Sequence, residues 1–323
     1  MRGGLGWIRT LGASPVFPAF VLLVLMFAIY ASRDPSALTT FGFGNLVNNA
    51  IVLAVAASGL TLVVLSGEFD LSGSGVVAIA NVVVATTSTG RLGSLGSLIA
   101  VLAIGLLVGC VNGCFVTLLG LQSLAVTIGS LIACQGIALM ILGAPGGEVA
   151  DAIAAWVTGD VGGFPVAAMV ALGVAAAWLA LKNTRRGIAI YAVGDDEGAA
   201  RLSGLDVRRT RFFAFAAAGV LYAVAGYLFS AEIGSGDPRV SDSFLLYMFA
   251  SAAIGGTSLM GGRGGVIGSL VGAGILTVMQ KMLFALGVAE FYTNIFNGLI
   301  MIAAIFFGQI GALVSRLERW RTA

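Results

Sequence analysis

Apolar residues fall along the chain in long runs divided by short polar or glycine-rich breaks. The first runs from Leu11 to Ala31, and others sit near 45–66, 72–88, 96–119, 123–142, 164–182, 209–231, 243–258, 264–285 and 292–313. A helix needs about 20 apolar residues to cross a bilayer, and ten such helices would use about 200 residues. The pattern predicts an all-α polytopic membrane protein with about ten transmembrane helices and short broken or re-entrant segments. Eight is the lower count, because several runs are divided only by glycine-rich or polar breaks. Residues 1–323 read as one transmembrane domain. The first run is long, and no small-x-small cleavage site follows it before Asp34-Pro35, so it reads as a retained span and not a cleaved leader.

Composition narrows the class. Hydrophobic residues make up 59% and charged residues only 10%, against about 25% charged in a typical soluble domain. That excludes a cytosolic enzyme, a nucleic-acid binder and a secreted disulfide scaffold. Histidine is absent, which removes the usual general base and the usual metal ligand. No catalytic or metal-binding residue is expected. Cys110, Cys114 and Cys134 form no CxxC pattern and read as small buried hydrophobes.

Charge sets the orientation. The polar stretch between spans at 182–211 carries Lys182, Arg185, Arg186, Arg201, Arg208, Arg209 and Arg211, and the C-terminus carries Arg316, Arg319 and Arg321. With both termini, this stretch and Arg263 in the cytoplasm, 13 of the 17 basic residues lie inside, as the positive-inside rule requires. An even span count agrees with two cytoplasmic ends. The segments 143–163 and 232–242 then fall outside, with Glu148, Asp151, Asp160, Glu232, Asp237 and Asp242.

Three stretches break the apolar pattern. In Ser66-Gly67-Glu68-Phe69-Asp70-Leu71-Ser72, two carboxylates stand at a membrane boundary, where they need hydration or hydrogen bonds. Asp70 or Ser72 is expected to cap the following helix, with Gly67 in the reversal. A capped turn and a gating role are both open here. Residues 194–205 predict a short cytoplasmic helix: Gly194, Asp195, Asp196 and Glu197 precede Ala199, Ala200, Arg201 and Leu202, and Gly204 stops it. Ala199, Ala200 and Leu202 supply a small apolar face with headgroups or a partner as its expected cover. The third stretch runs from Gly255 and Gly256 through Gly262 to Gly265. It lacks the glycine–lysine pair of a phosphate-binding loop, and suits a broken backbone between two spans. Gly105, Gly109 and Gly113, spaced by four, predict close helix packing.

Taken in order, these stretches resemble the permease subunit of bacterial monosaccharide ABC importers, the ribose-transporter permease family. The pattern SG-x-x-DLS-x-G is matched by Ser66, Gly67, Asp70, Leu71, Ser72 and Gly75, with one extra residue before the last glycine. The cytoplasmic signature is matched by Ala192, Val193, Gly194, Ala199, Ala200 and Gly204, and the third by Ile254 through Gly264. The resemblance covers about residues 45–310. Glu68 and the acidic Asp195-Asp196-Glu197 run depart from the family pattern. The resemblance implies a paired permease, with a second copy or a paralogue completing one path in the bacterial inner membrane. It also implies an ABC ATPase subunit that holds ATP and Mg, a periplasmic solute-binding protein, and a coupling helix around 195–203. No cofactor is expected on this chain, and no nucleic acid among its partners.

For a solute path the chain offers neutral polar residues within apolar spans: Asn48, Asn49, Asn81, Asn112, Gln135, Asn294 and Asn297. Each has a second reading, a hydrogen bond joining two helices. Alternatives to a sugar permease are a related ABC permease for a branched-chain amino acid, a polyol or a signalling molecule, and an ion-coupled secondary transporter. The last would need a charged relay in mid-span, and most spans have none.

Overall fold

A computed structural model describes residues 16–90 and 92–288, together with 292, 295, 298 and 299. The expected last span, with Asn294 and Asn297, lies outside the described residues, as do Arg2, Arg9, Arg316, Arg319 and Arg321. Within them the chain is helical almost throughout. That is the expected result for a backbone that must satisfy its own hydrogen bonds in hydrocarbon.

The helices are α1 Val16–Arg33, α2 Thr40–Leu65, α3 Gly73–Thr87, α4 Gly93–Thr117, α5 Ser123–Ile141, α6 Asp151–Thr158, α7 Val166–Lys182, α8 Arg185–Asp195, α9 Glu197–Leu202, α10 Val207–Ile233, α11 Ser241–Ile254 and α12 Val266–Ala285. A two-residue hairpin, β1 Asp160–Val161 with β2 Phe164–Pro165, follows α6.

Six of these helices, α1, α2, α4, α5, α10 and α12, are long and apolar enough to cross a membrane. Nine of the ten expected spans fall among the described residues, and three of those nine are short or bent for a geometric reason. Helix α3, with 15 residues, and the apolar part of α11 at Ser243–Ile254 are short. At 1.5 Å per residue, α3 reaches only about 22 Å of a hydrocarbon core of about 30 Å. Helices α7 and α8 form a pair bent by 79°.

Helices α2, α3, α10 and α12 form the core, while α1, α4 and α5 expose most of their outer surface. The predicted glycine stripe explains how α4 reaches α10. A Cβ on Gly105 would lie 2.2 Å from the Gly219 carbonyl oxygen, and one on Gly109 would lie 2.4 Å from that of Phe215. Only bare backbone fits there. Cys134 is buried, whereas Cys110 and Cys114 are half-buried.

Candidate functional site

The three polar breaks, spread over 197 residues from Leu65 to Gly262, meet at one end of the bundle. The Gly262 amide donates to the Leu65 carbonyl across 3.2 Å. A Cβ on Gly194 would lie 1.9 Å from that same oxygen, and a Cβ on Gly261 would lie 2.8 Å from the Gly194 oxygen and 3.0 Å from Gly67 Cα. Gly67 holds φ +84°, a region that favours glycine, and so turns the chain under α2. The order in which these segments appear in the chain thus becomes one backbone junction.

Beyond the turn Asp70 and Ser72 are buried and hydrogen-bonded. Asp70 Oδ1 accepts from the Ser72 amide at 2.9 Å and from Ser72 Oγ at 2.6 Å. Ser72 stands at the N-cap of α3 but its side chain caps nothing, so the expected cap is corrected: Asp70 holds the residue before the helix and not its first turn. The hydroxyl of Ser72 instead accepts from Asn112 Nδ2 at 2.9 Å, and Asn112 Oδ1 accepts from Ser130 Oγ. This chain joins the break to α4 and α5. The Tyr222 hydroxyl of α10 lies beside the Asp70 carboxylate, outside hydrogen-bond geometry.

Helix α9 projects from the junction. Asp196 caps it, its Oδ1 accepting from the Ala199 amide at 2.9 Å, and Gly204 at φ +79° follows its end. Asp195 is the last residue of α8. The expected apolar face divides in two. Ala200 is buried and packs with Val193 and Val207, so α9 does rest on its own chain, contrary to the expectation that only headgroups or a partner could cover it. Leu202 is 92% exposed and points away. Ala199, Gly198 and Arg201 are also exposed.

Arg211, in the second turn of α10, ties these parts together. Its guanidinium pairs with Glu68 at 3.0 Å and with Glu197 at 2.8 Å, and Glu197 also pairs with Arg201. Arg211 and Glu68 keep only 18% and 15% of their side chains exposed. Sequence reading placed Arg211 in a basic loop and missed this role. The available signal was its position: cations at a helix N-terminus oppose the dipole and need another reason to be there.

In the third break, Gly255 packs backbone to backbone on Gly268, where a Cβ would lie 2.1 Å from an oxygen. Tyr191 Oη donates to the Gly264 carbonyl at 2.6 Å, and the Gly265 amide donates to Thr257 Oγ1 at 3.4 Å. Gly256 at φ +85° turns the chain out of α11.

At the opposite end of the bundle lies a cleft of about 660 Å³, lined among others by Asn45, Asn48, Asn49, Thr158, Asp160 and Glu232. Asn48 Nδ2 donates to the Thr158 carbonyl at 3.3 Å, while Asn48 Oδ1 is buried without a partner. Asn49 Nδ2 donates to Asn45 at 2.7 Å. Asn81, Asn112 and Gln135, the other solute-path candidates among the described residues, are hydrogen-bonded within the bundle. Asn81 Nδ2 donates to Ser230 Oγ and the Ser235 carbonyl, and its Oδ1 accepts from the Asp237 amide. Asn112 serves the 66–72 segment, and Gln135 donates to Ser241 Oγ at 3.0 Å. Glu232, read from sequence as part of an outer loop, instead belongs to the last turn of α10 and faces the cleft.

Comparison with known proteins decides the family. Residues 42–305 match the family model described as the permease component of branched-chain amino acid transport systems. The chain belongs to this permease family. The permease is 32% identical to the ribose import permease protein of Haemophilus influenzae over 293 residues, covering 89% of this chain and 91% of that one. It is 29% identical to a probable ABC transporter permease protein of Escherichia coli, covering 88% and 86% of the two chains. It is 31% identical to the fructose import permease protein of Bifidobacterium longum, covering 88% and 84%. No solved structure matches the permease. The family and the apolar helices make it a multi-pass membrane protein and a transport subunit, not a catalytic one.

Proposed function

We propose that this permease is the transmembrane subunit of an ATP-binding-cassette importer that passes a monosaccharide or similar small polar solute across the bacterial inner membrane. The observation that carries the reading is α9: a capped helix, anchored through Ala200 and Arg211 to the junction of three chain breaks, with Leu202 left 92% exposed. Such a helix is built to receive a push from outside and deliver it to the bundle. It is the coupling helix, docking in a separate ATPase subunit that holds ATP and Mg. Its face is Ala199, Arg201 and Leu202, with Asp195, Asp196 and Gly198 at the edge. The end that carries α9 is cytoplasmic, and both termini share that side. Ten spans follow if α3, α7 and α11 each complete a crossing and 292–313 makes the last.

The cleft at Asn48, Asn49 and Glu232 then opens toward the periplasm, where a solute-binding protein delivers its load. Its neutral amides and the carboxylates of Asp160 and Glu232 suit hydroxyl groups, which both donate and accept. Relatives named for ribose and fructose support a sugar as the solute. A second permease copy or a paralogue completes the path.

The test is co-purification with the partner ATPase, followed by ATP hydrolysis and uptake in proteoliposomes. Hydrolysis stimulated by sugar-loaded binding protein is the expected result. Uphill uptake by vesicles that hold this chain and no ATPase would refute the reading.

A further inference from the structure

An arginine pair that is shielded from water must be matched closely, since an uncompensated charge there is costly. Arg211 is such a group, and it has partners on two separate segments. Glu197 lies on α9, and Glu68 lies in the turn that leads from α2 to α3. Arg211 Nε also approaches the Ser66 carbonyl at 3.4 Å. From Glu68 the chain runs two residues to Asp70, whose carboxylate holds Ser72, and Ser72 holds Asn112 of α4. Polar contacts, joined by the short backbone link from Glu68 to Asp70, therefore run from α9 to the buried start of α3 and on to Ser130 of α5. The other arginines nearby are not placed to do this: Arg209 pairs with Asp206 in the open, 90% exposed, and Arg186 lies over the Phe213 ring at 5.0 Å.

We propose that Arg211 is a coupling strut, a positioning residue that carries displacement of α9 into the turn that joins α2 to α3. The proposal rests on α9 being the ATPase-docking helix. Arg211 spans both acids because its planar guanidinium has donors on two edges, whereas lysine offers one compact ammonium. When α9 moves, Glu197 pulls Arg211, and Arg211 drags Glu68 together with the Ser66–Ser72 turn. Without the strut, α9 still docks through Leu202, and the ATPase still turns over, but the turn under α2 is released from the stroke.

The experiment reads solute transported per ATP hydrolysed in proteoliposomes containing the full complex, for wild type, Arg211→Gln, Arg211→Lys and Glu68→Gln. The expected result for Arg211→Gln is an assembled complex that hydrolyses ATP while the transport-to-ATP ratio falls by about ten-fold, within the usual range of coupling between sites. Arg211→Lys recovers part of the ratio, and Glu68→Gln lowers it while leaving Arg211 paired with Glu197. A purely structural role would lower the yield and stability of the complex and leave the ratio of the assembled fraction unchanged; that result overturns the proposal. Should Arg211→Gln fail to assemble, a wild-type ratio in Glu68→Gln overturns it equally. Wild-type chain that transports uphill without the ATPase overturns both this proposal and the docking role of α9.

Discussion

The junction beneath α2 makes a sharp prediction about two glycines that are four residues apart. Both Gly194, in α8, and Gly198, in α9, occupy helical positions, where alanine is favoured over glycine by about 1 kcal/mol. Propensity alone predicts that both alanine substitutions stabilise. The surroundings reverse the sign at one of them. A Cβ at Gly194 meets the Leu65 carbonyl oxygen at 1.9 Å and the Gly262 amide nitrogen at 2.7 Å, both backbone atoms. A carbon and a carbonyl oxygen settle no closer than about 3.3 Å, so α8 must withdraw by more than about 1 Å from the junction. Such overpacking costs about 1–3 kcal/mol, and with rigid neighbours we take the upper end, for a net loss of about 2 kcal/mol after the propensity gain. At Gly198 the nearest atom is Asp196 Oδ1 at 3.3 Å, the tip of an exposed side chain. That atom also caps α9, and at this distance it need yield only a few tenths of an ångström, which a side chain does without releasing the Ala199 amide. We expect Gly194→Ala to lower the midpoint of thermal aggregation in detergent by several degrees, and Gly198→Ala to leave it equal or higher. Equal midpoints for the two variants, or a higher one for Gly194→Ala, would refute the backbone contact between α8 and α2.

Three further outcomes follow from the same geometry. Leu202→Glu should abolish capture of the ATPase without changing the thermal midpoint, since Leu202 touches little of its own chain; pull-down and thermal scans check the two halves separately. Asn112→Ala should destabilise by about 1–3 kcal/mol, the penalty for removing the donor to the buried Ser72 hydroxyl and the acceptor for half-buried Ser130, whereas Asn49→Ala, at an exposed cleft, should cost far less in the same assay. Asn48→Ala should raise the solute concentration needed for half-maximal uptake about five-fold, one net hydrogen bond, with ATPase association unchanged.

The helices and most of their limits were readable from local sequence. Apolar runs at 123–142 and 264–285 became α5 at Ser123–Ile141 and α12 at Val266–Ala285, because a backbone in hydrocarbon has few options besides the helix. The glycine stripe of α4 was also legible, since small residues one turn apart have few other uses in a span. The site was legible only in part. Motif order singled out Gly67, Gly194 and Gly262, but nothing in their spacing states that they touch. The seven polar candidates looked alike in sequence. Packing then spent Asn81, Asn112 and Gln135 on helix contacts and left Asn48 and Asn49 beside a cleft. Ala200 and Leu202 are two residues apart on one short helix, yet one is buried and the other bare. Two of the four acids that depart from the resembled motifs, Glu68 and Glu197, proved to share one guanidinium.

Hydrophobicity and charge act residue by residue and over neighbouring turns, so the chain's order alone was enough to make this a helical membrane protein with a short projecting helix; the permease reading came from the resemblance of its three motifs. Which polar groups meet depends on segments more than a hundred residues apart being folded against one another. Arg211 finds Glu68 only because α10 is packed beside α2, and that contact is a property of the assembled bundle and of no stretch of sequence within it.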